Sequence, residues 1–97
     1  MATVAVIYPS GHKFDLDYYL NTHMPLVAKE WGPAGLTGYE IVQFTEGGAY
    51  QIQAILKWTS LDAWNKAAKD VVLGDIPNFT TAQATLLTGE SKQVITL

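Results

Sequence analysis

Asp15, Tyr19 and His23 recur at intervals of four in the stretch FDLDYYLNTHMPLV. On a helix turning ~100° per residue, that spacing lays a carboxylate, a phenol and an imidazole along one stripe. Tyr18 lies beside the stripe, and Leu26 falls close to it one turn further on. An imidazole next to a phenol can take a substrate proton near neutral pH while the hydroxyl donates to a developing oxyanion. The pattern nominates His23 as general acid or base and Tyr18 or Tyr19 as hydrogen-bond donor, with Asp15 and Leu26 as ligand contacts. The plain alternative is a core helix whose histidine only packs or bonds a carbonyl. Pro25 frees one such carbonyl, that of Asn21, which the His23 ring or a nearby hydroxyl could satisfy.

Other chemistries find little support. His12 sits in a loop, where a histidine is usually just solvated. The two histidines and scattered carboxylates show no ligand spacing, so no metal site is expected. With no cysteine, disulfides, thiolate catalysis and iron–sulfur clusters are excluded. No nicotinamide or flavin motif is present, and there are no arginines to hold heme propionates, so no cofactor is expected. All six basic residues are dispersed lysines and the net charge is −3, which argues against a nucleic-acid partner. No segment approaches the ~20 apolar residues of a membrane span. The apolar run of MATVAVIYPSG is closed by Pro9 and Gly11 and reads as strand and turn rather than signal peptide, so a cytoplasmic location is expected.

The elements that must position these residues follow from periodicity. TVAVIY (3–8) is apolar on both faces and predicts a strand buried on two sides. Asp15 can cap a helix running to about Trp31, with a kink expected at Pro25 and a stop at Gly32-Pro33. GLTGYEIVQF (35–44) and YQIQAILKW (50–58) predict a hairpin around Gly47-Gly48. Ser60 caps a second helix, SLDAWNKAAKDVVL, expected to be continuous. GDIPNFTT is irregular; Asp75, Asn78 and Thr80 in it suit turn caps, while Phe79 suits the mouth of a pocket. ATLL (84–87) predicts a fourth strand, before a β-branched tail. Gln51 and Gln53 share one face of the third strand, and Gln53 is a candidate ligand contact should that face border a cavity. The order β-α-β-β-α-β across a single 97-residue domain predicts an α+β, ferredoxin-like sandwich with a four-stranded antiparallel sheet. Hydrophobic content of 48% against 15% charged residues is more apolar surface than a small monomer readily hides, so a homodimer is expected.

The residues YPSGHKFDLDYYLNTHMPLV, WTSLDAW and GDIPNFTTAQATLLTGE together resemble the EthD family over nearly the whole chain. The resemblance implies a dimeric α+β barrel in which two ferredoxin-like subunits stack their sheets, with Ile76 and Phe79 near the dimer contact. Proteins of related architecture include cofactor-free monooxygenases, cyclases and decarboxylases, so fold alone leaves the reaction open. The expected function is acid/base chemistry by His23 on a small aromatic or polyketide-like carbonyl compound, with an oxidoreductase association through the family. The rival expectation is a non-catalytic accessory protein that binds a hydrophobic metabolite.

Overall fold

The computed structural model describes residues 1–97. The most apolar strands take the centre: β1 (Ala2–Pro9) lies antiparallel to β3 (Tyr50–Trp58). β2 (Leu36–Gln43) flanks β3 and β4 (Thr85–Glu90) flanks β1, giving the antiparallel order β2-β3-β1-β4. This is the expected ferredoxin-like arrangement. Alternation puts Val4, Tyr8, Ile52, Ala54, Leu56 and Trp58 on the inner face, where all are buried. The opposite face carries Ala5, Ile7, Val42, Ile55 and Leu87 among polar side chains, and no element of the chain packs over it.

The first helical layer differs from a kinked helix. Asp15 caps α1 (Leu16–Tyr18), its carboxylate accepting from the Tyr18 amide at 3.0 Å. A π-helical turn follows over Tyr19–His23, with the Met24 amide reaching back to the Tyr19 carbonyl, and α2 runs Met24–Trp31. Pro25 offers no N–H, so a regular helix would strand the Asn21 carbonyl. The chain widens one turn upstream instead, and Pro25 falls in the first turn of α2, where no donor is required.

The expected second helix is also divided. Ser60 caps α3 (Leu61–Lys66), the backbone turns extended at Ala67, and α4 (Asp70–Asp75) starts afresh before a 3-10 turn over Ile76–Asn78. Two contacts stabilise the break. Lys69 Nζ donates to the Trp64 and Ala67 carbonyls at 2.6 and 3.0 Å and lies 4.3 Å from the Trp64 ring centre. The exposed Ala68 carbonyl accepts from Trp31 Nε1 at 2.8 Å. Trp31, Trp58 and Trp64 pack together with ring centres 5.2 to 5.6 Å apart, each pair adding about 0.5–1.5 kcal/mol beyond area burial. The fourth strand starts one residue later than expected, and Ser91–Leu97 has no regular structure, leaving Val94, Ile95 and Leu97 exposed. No helix is long and apolar enough to cross a membrane.

Gly35 joins the first layer to β2 at φ +132°, a conformation that side chains other than glycine rarely adopt. An added Cβ would stand 2.8 Å from Thr59 Oγ1 and 2.9 Å from Ala63 Cβ. Gly35→Ala is expected to cost about 1–3 kcal/mol, read as a lower urea midpoint with an unchanged slope.

Candidate functional site

The π turn decides how His23 is presented. A wider turn brings residues four apart nearly over one another, and the Tyr19 and His23 rings stack at 5.4 Å with 15° between their planes. Phe79 closes against both, its centre 4.6 Å from His23 and 4.9 Å from Tyr19. Tyr8 and Phe14 extend this aromatic wall through edge-on contacts of 5.0 to 6.0 Å. The imidazole is only 3% exposed.

Asp75, at the end of α4, supplies the partner. Its Oδ2 stands 2.9 Å from His23 Nδ1. Its Oδ1 accepts from the Tyr18 hydroxyl at 2.7 Å and from Asn78 Nδ2 at 2.9 Å. The segment after Asp75 is stitched to the loop before α1: Asp15 N donates to the Phe79 carbonyl, and Thr80 Oγ1 to that of Lys13. Those bonds fix the distance between the end of α4 and the π turn where the pair meets.

The electrostatics assign the tautomer. Burial raises the Asp75 pKa, but the hydrogen bonds from Tyr18, Asn78 and His23 together outweigh it and hold the carboxyl below its usual 3.8. An ionised carboxylate only accepts, so His23 Nδ1 carries the proton and donates. Burial lowers the His23 pKa below 6.5, against the upward pull of Asp75. Near neutral pH the imidazole is therefore neutral, with the Nε2 lone pair left without a partner in the chain. Asp75 raises the pKa of the Tyr18 phenol through the hydrogen bond it accepts, and burial drives those of Tyr8 and Tyr19 up further. All three phenols stay protonated.

A cavity of about 420 Å³ adjoins the wall, between the inner face of the sheet and the helices. His23, Tyr19, Tyr8, Met24, Val27 and Trp31 line one side, Val72, Leu73, Ile76 and Pro77 another. The floor is low because Ala54, Ala82 and Ala84 are small. The lining holds no Lys, Asp or Glu. Apolar walls with a few convergent polar groups are what a small-ligand site needs.

The sequence-predicted residues divide accordingly. His23, Tyr19 and Ile76 line the cavity. Tyr18 stands behind it, donating to Asp75 instead of facing a ligand. Asp15 is a helix cap rather than a ligand contact, and the half-buried Leu26 is turned away from the lining. Phe79 is 1% exposed within one chain, so it is a wall of the core with no surface for a partner subunit. Gln53 pairs with Ile7 and Val42 on the outer sheet face, across the sheet from the cavity. The sequence suits Asp75 to a turn cap. Its pairing with His23 spans 52 positions and leaves no local signal. Tyr8 packs in the core and also borders the cavity.

No family model matches this sequence, and no curated protein does so either. Solved structures do. An EthD-like protein from Ralstonia eutropha superposes with a TM-score of 0.82 at 27% identity, over 92% of this chain and 89% of that one. The chain resembles the EthD family in three dimensions. An EthD family protein from Bacillus halodurans gives a TM-score of 0.74 at 18% identity, over 94% of this chain and 98% of that one. The EthD-like fold extends to SnoaB, described as a cofactor-independent oxygenase from Streptomyces nogalater, with a TM-score of 0.64 at 15% identity, covering 97% and 95% of the two chains. Structures described as dimeric ferredoxin-like proteins share it too. The resemblance read from FDLDYYLNTHMPL and DIPNFT is borne out.

The depressed His23 pKa has a signed consequence. Just below pH 6.5 the unfolded chain binds a proton at His23 that the folded chain does not, so stability falls as pH drops through that range. Asp75 adds a loss lower down, as pH falls below 3.8 toward its depressed folded value. NMR titration is expected to place His23 below 6.5, and lower still in Asp75→Asn, which removes the favourable anion.

Proposed function

We propose that this EthD-like chain is the subunit of a homodimeric, cofactor-free enzyme performing acid/base chemistry on a small carbonyl compound in the cavity. The observation that carries the reading is the 2.9 Å His23–Asp75 hydrogen bond at the wall of an apolar cavity. A proton on carbon or oxygen next to a substrate carbonyl would pass to Nε2, and Asp75 would stabilise the imidazolium that forms. Tyr19 would donate to the enolate oxygen, while Tyr18 and Asn78 hold Asp75 in place. The enolate can close a ring on an electrophilic carbon or react with dioxygen; in a decarboxylation the enolate forms by loss of carbon dioxide instead, and the imidazolium would return a proton to it. Reaction with dioxygen would justify an oxidoreductase label, and the description of SnoaB as cofactor-independent supports chemistry without a bound group.

The second subunit would cover the outer sheet face, where Ala5, Ile7, Val42, Ile55 and Leu87 otherwise meet water; Ile76 lies on the cavity side of the sheet, away from that contact. The largely apolar lining also favours a second reading, an accessory protein that binds a hydrophobic metabolite without turnover.

In an assay of proton exchange or turnover on hydroxylated aromatic ketones, His23→Ala is expected to lose about a hundredfold or more. Undiminished turnover would sink the catalytic role. Tight binding without turnover in the parent protein would favour the accessory reading. Ile55→Glu is expected to convert the dimer to monomer in analytical ultracentrifugation; an unchanged dimer would place the interface elsewhere.

A further inference from the structure

Three nearly buried polar groups border the cavity: the imidazole of His23 and the phenols of Tyr8 and Tyr19, which are 2% and 1% exposed. His23 Nδ1 is taken by Asp75, but neither the Tyr8 nor the Tyr19 hydroxyl hydrogen-bonds to any group of the chain. Both escape full occlusion, since the only completely buried side-chain polar atom lacking a partner is Trp58 Nε1. Their ring centres are 6.0 Å apart. A hydroxyl with no partner in the chain is left to water or a ligand for its hydrogen bond. Here two such hydroxyls flank one cavity, and burial keeps both protonated as donors.

The charge balance around them is one-sided. None of the six lysines lines the cavity, and the chain has no arginine. Lys69 is occupied with the Trp64 and Ala67 carbonyls. The formal charge nearest the imidazole is the Asp75 carboxylate behind it. An anionic ligand would be desolvated in apolar surroundings beside a negative charge with no cation in return.

We infer that Tyr8 and Tyr19 form a two-hydroxyl seat for one uncharged carbonyl oxygen, making the site selective for neutral ketones over carboxylates, with Tyr8 as a specificity-determining residue. This rests on the cavity being the ligand site, but not on turnover there. The neutral Nε2 accepts from a ligand hydroxyl or acidic C–H, while the two phenols donate to the carbonyl. Two phenol donors and one imidazole acceptor in a mostly apolar chamber, with only the exposed Gln83 amide as a further polar group on its lining, match a neutral hydroxylated carbonyl compound.

Three probes of similar size separate the contributions: para-hydroxyacetophenone, para-ethylphenol, which lacks the carbonyl, and para-hydroxybenzoate, which carries a charge at neutral pH. Binding is read by tryptophan fluorescence, since Trp31 lines the cavity. The ketone is expected to bind about tenfold more tightly than the ethylphenol and more tightly still than the benzoate. Tyr8→Phe and Tyr19→Phe should each weaken the ketone about fivefold and leave the ethylphenol unchanged. Both variants should fold, because the hydroxyl removed bonds to nothing in the chain. Equal affinity for all three probes, or a preference for benzoate, would overturn the seat while leaving the cavity a ligand site. An equal loss for ketone and ethylphenol in Tyr8→Phe would reduce Tyr8 to packing and overturn its role. Failure of all three to bind would overturn the seat and the ligand site together.

Discussion

The hydrogen bond between His23 and Asp75 is the constraint on which the rest of this molecule turns. It crosses 52 positions of sequence and ties the π turn of the first helical layer to the end of α4. Bonds to a charged group are worth about 1.5–3 kcal/mol when the geometry is good. That is enough to hold a carboxylate at 12% side-chain exposure, given that Tyr18 and Asn78 donate to its other oxygen. The network has little slack: loss of any donor leaves a mostly buried acceptor short of partners. The elements around it are arranged to preserve that geometry, from the Asp15 cap to the bonds linking Thr80 with the loop ahead of α1.

Packing and emptiness are balanced on either side of the pair. On one side Tyr8, Phe14, Tyr19 and Phe79 interlock edge to face, giving a wall whose side chains have few alternative rotamers. On the other, Ala54 of β3 and Ala82 and Ala84 of the segment leading into β4 line the cavity where larger residues would fill the space. A cavity of this size forfeits contact energy on its lining. The aromatic wall and the three packed tryptophans help to offset that loss within a chain of only 97 residues. The inner face of the sheet therefore both packs the core and borders the cavity, with aromatic rings and small aliphatics sharing the buried positions.

The architecture was legible because periodicity is local. The strands at TVAVIY and YQIQAILKW and the caps at Asp15 and Ser60 all appear within two residues of where the sequence puts them. His23 was legible as a candidate because an imidazole between phenols and a proline is chemically conspicuous. Asp75 was not, because a carboxylate in GDIPN suits a turn equally well, and only the tertiary fold brings it beneath the ring. The break at Ala67 was hidden by KAAK, whose residues all favour helix; side-chain bonds from the neighbouring Lys69 and from the distant Trp31 to the freed carbonyls override that preference. Gln53 went to the far face because alternation fixes which residues share a side, but not which side meets the helices.

The π turn has a consequence for how such a chain can change over evolutionary time. It holds, in effect, one residue more than the regular helix on either side requires. Deleting a residue there would let the helix close into uniform turns, with its apolar stripe still able to reach the sheet. His23 would swing out of line with Asp75, and the hydrogen-bonded pair would dissolve while the scaffold survived. Descendants of one ancestral subunit could thus gain or shed this His23–Asp75 pairing through single-codon insertions and deletions, a route invisible to any comparison that counts only substitutions.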